Sequence, residues 1–328
     1  MEKIKNILIT GGAGYIGSHV AEILCKTKNN IFIVDNLSTG FKRLINKKTY
    51  FYNLNILNTK KIREIILKKK IDSVIHLAAS LIIETGEKCP KFYFKNNVTG
   101  TKSVLSACKN STVKNFIFSS TAAIYKDGQK IVNENSKILP KSVYGKTKIK
   151  AENQIILACK KNKINYAILR YFNVCGASFS GKIGLIGKGD HLFKNISSSV
   201  IKKNSIIKVY GNDYSTLDGT AIRDYIHVSD LASIHLKILR KISATKKSKI
   251  INCGYGKGIS VLEVINAFKK QIKKKITIKY KERRAGDLEM IIANNKSLLK
   301  FINWKPQYNN LDKIVKSCLN WEKTINKN

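Results

Sequence analysis

The feature that most constrains the fold of this chain is a glycine-rich loop between its first predicted strand and its first predicted helix. The strand is predicted over residues 5–10 and the helix over 15–26, and the loop region carries Gly11, Gly14 and Gly17. Glycines allow a tight turn and a close approach of the backbone to a pyrophosphate, which the N-terminus of the helix then binds. The pattern predicts a dinucleotide-binding βαβ unit, with a purely structural turn as the alternative.

An acid stands where the second predicted strand ends. Residues 31–34 are apolar, and Asp35 follows them directly. In a dinucleotide-binding unit, an acid about twenty residues beyond the loop binds the ribose hydroxyls and disfavours the phosphorylated ribose of NADP. The predicted cofactor is therefore NAD.

Further apolar strands alternate with helical stretches through the first half of the chain. They are predicted over residues 73–77, 115–119 and 166–170. This alternation indicates a parallel sheet that binds ligands at the carboxyl ends of its strands. The expected fold class is α/β, a Rossmann-type doubly wound parallel sheet with a smaller C-terminal substrate-binding lobe.

The sequence changes character after Gly176, because residues 176–190 are rich in Gly, Ser and Lys and are predicted to form a loop. We therefore predict a NAD-binding domain over residues 1–177 and a substrate-binding lobe over 178–328. The boundary leaves open a return of segments near 225–252 to the first domain.

The chain is strongly basic, with a formal net charge of +40. Only seven of its 61 basic residues are Arg, and the lysines are spread along the chain without alternating with aromatic residues. Compositional drift explains this pattern better than an acidic partner, so no nucleic acid is expected to bind. A basic nucleic-acid-binding protein with a disused nucleotide fold is the alternative, which tight DNA binding at physiological salt would favour.

The cysteines and the apolar segments indicate a cellular compartment. Seven cysteines occur without a CxxC pair or a spacing typical of zinc, as expected for free thiols in a reducing environment. No apolar run approaches the roughly twenty residues that a membrane span needs, and the N-terminus does not resemble a signal peptide. We predict a soluble cytoplasmic protein with no membrane partner and no metal.

Tyr144 and Lys148 are four positions apart on one predicted helix, so their side chains share a helical face. An ammonium beside a phenol favours the phenolate, lowers its pKa and equips it to exchange a proton with a hydroxyl. The hydroxyls of Ser119, Ser120 and Thr121 follow a strand that ends at the same sheet edge. In a chain this rich in lysine, a chance surface pair is the alternative interpretation.

Taken together, these residues resemble the extended short-chain dehydrogenase/reductase family. The resemblance is sharp at residues 76–79, 96–101 and 169–176, and residues 211–228 and 283–287 make the chain similar to its UDP-hexose 4-epimerases. The resemblance implies an NAD-dependent isomerase that interconverts UDP-glucose and UDP-galactose through a 4-keto intermediate. It also implies a homodimer, and it leaves open the use of N-acetylated UDP-hexoses.

The resemblance assigns roles position by position. The catalytic residues it implies are Tyr144, Lys148 and Thr121. The cofactor contacts it implies are Gly11, Gly14, Tyr15, Ile16, Gly17, Asp35, Asn36, Asn55, Ile56, Asn97, Tyr144 and Lys148. The substrate contacts it implies are Thr121, Asn173, His191, Arg223, Arg284, Asp287 and Ile291. Asn55 replaces an Asp that is frequent in the family, so weakened adenine binding is expected.

Scarcity makes the arginines informative. In a chain with few arginines, Arg223 and Arg284 are expected to grip phosphate through the planar guanidinium fork, which lysine lacks. The alternative is an ion pair with Asp224 or Asp287, and Arg283 is expected to be structural.

Two further positions bear on the reaction. Ile291 is expected to line the sugar pocket and to leave partial room for an acetamido group, or else simply to pack in the core. A related nucleotide-sugar 4,6-dehydratase would carry an Asp-Glu pair after Thr121, where this chain has Ala122 and Ala123, which argues against dehydration. His76 is expected to pack near a strand end without a catalytic role.

Overall fold

The computed structural model describes residues 5–187, 191–202, 206–272, 276–284 and 287–326. Its largest element is a sheet of seven parallel strands. From edge to edge these are β11 (Lys249–Cys253), β7 (Asn165–Tyr171), β5 (Asn115–Thr121), β4 (Ser73–His76), β1 (Asn6–Thr10), β2 (Asn30–Asp35) and β3 (Tyr50–Asn53). The strand order reverses between β1 and β4, which opens a crevice at their carboxyl ends. The predicted fold class is confirmed.

Helices cover both faces of this sheet. The helices on and around it are α1 (Tyr15–Leu24), α2 (Thr59–Lys68), α3 (Ile83–Lys88), α4 (Pro90–Tyr93), α5 (Gly100–Cys108), α6 (Val143–Lys161) and α8 (Val228–Thr245). Because side chains alternate along a strand, Ile7 and Ile9 join the core under α1 and α8, whereas Leu8 joins the core under α2, α5 and α6. Burial on both faces explains why the strands are continuous apolar runs.

A smaller set of elements stands at the carboxyl edge of the large sheet. Its strands are β6 (Ile131–Val132), β8 (Asn173–Cys175), β10 (Ile222–His227), β12 (Gly258–Ser260) and β14 (Met290–Ala293), with a separate parallel pair of β9 (Ile206–Tyr210) and β13 (Thr277–Lys281). Its helices are α7 (Leu192–Ile201), α9 (Val261–Ile272) and α11 (Leu311–Ile325), while α10 (Lys296–Ile302) packs against α8 and β11 of the larger part. Short helical turns cover Lys42–Leu44, Phe94–Thr99 and Ala122–Ile124.

The chain passes between these two parts more than once. β11 lies late in the sequence and pairs with β7 at the edge of the large sheet. β6 lies early in the sequence and pairs with β14 in the small sheet. The division at residues 177 and 178 stays a prediction, and the elements on either side of it are interleaved.

A helix that crosses a bilayer needs about twenty predominantly apolar residues. In the part of the chain that the structure describes, no helix is long and apolar enough to cross a membrane. The same residues contain no cluster of three or more His, Cys, Asp or Glu side chains that could hold a metal ion.

Candidate active site

The glycine loop is shaped by contacts that exclude side chains. Gly11 has a φ of 74°, and a Cβ there would lie 2.6 Å from the backbone nitrogen of Ala78. A Cβ on Gly17 would lie 2.1 Å from the carbonyl oxygen of Gly11. Gly14 precedes the first turn of α1, and no described side chain caps that turn. The loop therefore forms an open backbone cradle at a helix N-terminus, which fits a pyrophosphate.

Asp35 ties this loop to the end of β2. Its Oδ2 accepts a hydrogen bond from the amide of Ala13 at 3.0 Å, and its Oδ1 accepts one from Leu37 at 2.8 Å. Burial raises the pKa of the carboxyl, and these two hydrogen bonds oppose that shift. A Cβ on Gly40 would come within 3.0 Å of Oδ1, so glycine keeps space beside the carboxylate.

The other predicted cofactor residues surround the crevice. Asn36 and Asn55 are exposed, and each side-chain oxygen accepts a hydrogen bond from the backbone two residues later. Ile56 is buried, while Ile16 packs against the core beside the loop. The hydroxyl of Tyr15 donates to the carbonyl of Gly176 at 2.6 Å.

Asn97 has a different environment from the other predicted cofactor contacts. Its Oδ1 accepts from the amide of Ser80 at 2.8 Å, and its Nδ2 donates to the carbonyl of Ser80 and the hydroxyl of Thr147, each at 3.0 Å. The side chain is buried and joins the segment after β4 to α6. A cofactor contact there stays a prediction, and the contacts present hold the two segments together.

The three predicted catalytic side chains meet where β5 ends and α6 begins. Ser142 caps α6 by accepting a hydrogen bond from Gly145 at 3.1 Å. A Cβ on Gly145 would lie 2.6 Å from the carbonyl oxygen of Ala123, so glycine brings the first turn of α6 against the segment after Thr121. The Thr121 hydroxyl comes close enough to the Tyr144 phenol to favour a lower pKa of that phenol.

Lys148 lies beneath this pair and is only 2 % exposed. Its Nζ donates to the carbonyl of Ser119 at 2.6 Å and lies 5.9 Å from the centre of the Tyr144 ring. Burial lowers the pKa of Lys148 to about 7, and the carboxylate of Glu152 opposes that shift.

The expected lowering of the Tyr144 pKa does not occur in the protein alone. Burial raises the pKa of Tyr144, and the nearby Thr121 hydroxyl only partly offsets this. The physical reason is that the site removes water from the phenol, while the Lys148 ammonium is directed toward the carbonyl of Ser119.

Two of the predicted substrate residues, Arg223 and Asp287, form an ion pair with each other. Nη2 of Arg223 lies 2.8 Å from Oδ1 of Asp287, and Nη1 donates to the carbonyl of Ile222 at 2.9 Å. The ion pair offered as the alternative for Arg223 is therefore present. The guanidinium of Arg284 lies 3.9 Å from the centre of the Tyr210 ring.

Arg283 behaves as its structural interpretation predicts. Its Nε lies 2.8 Å from Oδ1 of Asp213, and its guanidinium stacks 4.1 Å above the ring of Tyr214. Ala285 and Gly286, which belong to the same motif, lie outside the described residues.

The remaining substrate candidates lie on three different elements. Asn173 is exposed on β8, and His191 precedes α7 with its ring 6.4 Å from that of Tyr15. Ile291 is 5 % exposed and packs in a cluster with Ala122 and Phe172, the neighbours of Thr121 and Asn173. Ile291 therefore packs in a core, as its alternative interpretation predicts. This core adjoins Thr121 and Asn173 through their chain neighbours.

His76 is buried, as expected, and hydrogen bonds to Thr10 at 2.6 Å and to Thr101 at 3.0 Å. Sequence reasoning missed a different buried group, the ion pair between Glu152 and Arg170. Two signals could have found it, because Glu152 follows Lys148 by one helical turn and Arg170 is one of the few arginines.

Known proteins resemble this chain in sequence and in fold. The UDP-glucose 4-epimerase of Lactobacillus helveticus is 37% identical over 320 residues, covering 97% of each chain. The crystal structure of the Bifidobacterium longum UDP-glucose 4-epimerase in complex with NAD⁺ and UDP is similar with a TM-score of 0.90 and 31% identity, covering 97% of this chain and 98% of that one. The structure of the UDP-Glc/GlcNAc 4-epimerase of Campylobacter jejuni is similar with a TM-score of 0.84 and 35% identity, covering 97% of this chain and 99% of that one.

The family assignment follows from a match that spans most of the chain. Residues 7–254 match the family described as the NAD dependent epimerase/dehydratase family. This match confirms the predicted dependence on NAD, and it includes the glycine loop, Asp35, Tyr144 and Lys148. The chain belongs to the NAD dependent epimerase/dehydratase family.

Proposed function

We propose that this protein is a UDP-hexose 4-epimerase that interconverts UDP-glucose and UDP-galactose with tightly bound NAD. The observation that carries the proposal is the convergence of Tyr144, Thr121 and Lys148 at the sheet edge that also holds the glycine loop. The likeness to UDP-glucose 4-epimerases over nearly the whole chain supports the same reaction.

In the proposed mechanism, Tyr144 removes the proton from the sugar O4, and Thr121 holds that oxygen in place. When bound, NAD supplies the hydride acceptor and donor for C4. Lys148 contributes positive charge that favours the phenolate, which the buried phenol needs because burial alone raises its pKa. The 4-keto sugar turns about its link to UDP, Tyr144 returns the proton, and the configuration at C4 is inverted.

The UDP group serves as the handle that retains the sugar while it turns. Arg223 and Arg284 are proposed to bind the diphosphate through their guanidinium groups, with Asp287, Asn173 and His191 completing the contacts. In this proposal Arg223 exchanges part of its ion pair with Asp287 for phosphate when substrate enters.

Substrate range is assigned to the region of Ile291. Its buried side chain lies behind Ala122 and Phe172, where a larger residue would press on the pocket wall. UDP-N-acetylglucosamine is therefore proposed as a poorer substrate, since a pocket that only tolerates an extra group discriminates by about 1–3 kcal/mol.

The assembly proposed is a homodimer in the cytoplasm. Phe92 on α4 is 57% exposed and Leu157 on α6 is 71% exposed, and these helices contact each other. Ile82 and Ile83, at the start of the adjacent α3, are also exposed. Apolar side chains grouped on neighbouring helices are typical of a protein interface.

The decisive experiment is incubation of the purified protein with UDP-glucose or UDP-galactose and separation of the products. The proposal expects each sugar to be converted into the other without added cofactor, and denatured protein to release NAD. Formation of a 4-keto-6-deoxy sugar would assign dehydration instead. Absence of any conversion by protein that contains NAD would overturn the proposal.

A further inference from the structure

A buried ion pair that the proposed reaction does not use lies beneath the candidate site. Nη2 of Arg170 lies 2.8 Å from Oε2 of Glu152, and Nε lies 3.1 Å from Oε1, so the contact is bidentate. Glu152 is 1 % exposed and Arg170 is 2 % exposed. Removing two charges from water costs several kcal/mol per ion, and such a pair often adds no net stability over apolar residues. Its position therefore calls for an explanation other than stability.

Glu152 belongs to the same face of α6 as Tyr144 and Lys148, because the three residues are spaced by four. Each of them contacts one of three successive residues of β5. Tyr144 faces the hydroxyl of Thr121, Lys148 donates to the carbonyl of Ser119, and Glu152 accepts from the hydroxyl of Ser120. The helix thus meets the end of β5 at three consecutive residues.

Arg170, on strand β7, binds the carboxylate that Glu152 extends from α6. It lies on β7 directly beside Ser120 on β5. Its Nη1 donates to the hydroxyl of Tyr125 and to the carbonyl of Glu134, each at 3.0 Å. The hydroxyl of Tyr125 donates in turn to Asn252 on β11 at 2.6 Å. The pair therefore connects α6 with β5, β7, β11 and the segment that follows Thr121.

The charged and titratable groups around Lys148 are few. Glu152 on α6 favours the charged form of Lys148, and the Tyr144 phenol lies on the same helix. His76 on β4 is neutral near pH 7, because burial and the charge of Lys148 lower its pKa to about 3. Arg170 on β7 neutralises Glu152 in part through the bidentate contact.

We propose that Glu152 and Arg170 are positioning residues of this site, which hold Lys148 and the Ser119–Thr121 strand end in the arrangement that Tyr144 needs. This inference rests on the proposed function for its kinetic consequence. The effect of Glu152 on the pKa of Lys148 can be measured without turnover. Neither residue is assigned a contact with substrate or cofactor.

The first test replaces the carboxylate by an amide of the same shape. In Glu152→Gln, the pKa of Lys148 is expected to fall, because the carboxylate that favours its charged form is lost. Since lysine is charged below its pKa, activity should disappear at a lower pH on the alkaline side than in wild type. The measurements are the pH profile of kcat and the NMR titration of Lys148 Nζ, assigned with Lys148→Met.

Arg170→Lys separates geometry from charge. It keeps one positive charge but loses the fork, so kcat should fall while KM for UDP-glucose changes little. The matched control is Glu322→Gln, which disrupts another buried ion pair, with Lys194, away from the candidate catalytic residues. It should lower thermal stability but leave both the pH profile and the Lys148 titration unchanged.

The outcomes separate the two proposals. If wild type lacks epimerase activity, the proposed function fails, and the Lys148 titration still decides the present inference. An unchanged Lys148 titration in folded Glu152→Gln would overturn it, as would an equal response in Glu322→Gln. If Glu152→Gln does not fold, Arg170→Lys decides: a wild-type kcat overturns the positioning role, and a reduced kcat with unchanged KM supports it.

Discussion

The two halves of the candidate site are built differently. Where α6 meets β5, Lys148 is buried and its ammonium is fixed by the carbonyl of Ser119. On the side of β10 and β14, the side chains of Arg223 and Asp287 are 11% and 33% exposed and bond to each other. In the proposed function, the first region is organised before substrate arrives, whereas the second exchanges protein contacts for ligand contacts. Substitutions in the first should therefore change kcat, and those in the second should change affinity.

The largest effect is expected from Tyr144→Phe in the organised region. Loss of the phenol proton should reduce kcat by about 10²–10⁴-fold or more, because the positioned acid–base group is gone. Binding of NAD and UDP-glucose should remain close to wild type, since the ring still fills its place. Kinetics and binding calorimetry measure the two quantities, and most of the activity surviving in a folded variant would remove Tyr144 from the mechanism.

An intermediate effect is expected from Arg223→Lys and Arg284→Lys in the exchanging region. Each should weaken UDP-glucose binding by about tenfold, equivalent to about 1.4 kcal/mol, since lysine keeps the charge but not the fork. Arg283→Lys is the matched control, because Arg283 already pairs with Asp213 and stacks on Tyr214. Titration of each variant with UDP would check this. Equal affinities in all three variants would place the diphosphate elsewhere.

The organised region was largely predictable from the sequence. The strands at residues 73–77, 115–119 and 166–170 differ from the observed bounds by two residues or fewer, because buried parallel strands are unbroken apolar runs. Their carboxyl ends share one edge, so Thr121 and Tyr144 could be brought together by topology alone.

The rest depended on contacts between distant residues. The pairing of Arg223 with Asp287 and the hydrogen bonds of Asn97 join segments whose separation in sequence carries no local signal. The pKa of Tyr144 depends on how completely the phenol is buried, which a motif does not specify. The same applies to the Glu152–Arg170 pair, whose members lie on a helix and a strand.

The smallest effect is expected from Ile291→Tyr at the boundary between the two regions. A larger side chain beside Ala122 and Phe172 should lower kcat/KM for UDP-N-acetylglucosamine more than for UDP-glucose, by about fivefold, equivalent to about 1 kcal/mol. The comparison is the ratio of kcat/KM for the two sugars in wild type and variant. Ile291→Val, which shortens the same side chain, controls for repacking, and an unchanged ratio in Ile291→Tyr would assign the residue to the core alone.

The central claim is that one preorganised site oxidises and reduces the same carbon of a UDP-sugar that stays bound. UDP-glucose carrying deuterium at C4 tests it most directly, with the product analysed by NMR and mass spectrometry. We predict UDP-galactose that retains the deuterium at C4, because the hydride returns to the carbon it left. Loss of the deuterium to water, or recovery of a product other than UDP-galactose, would contradict the account.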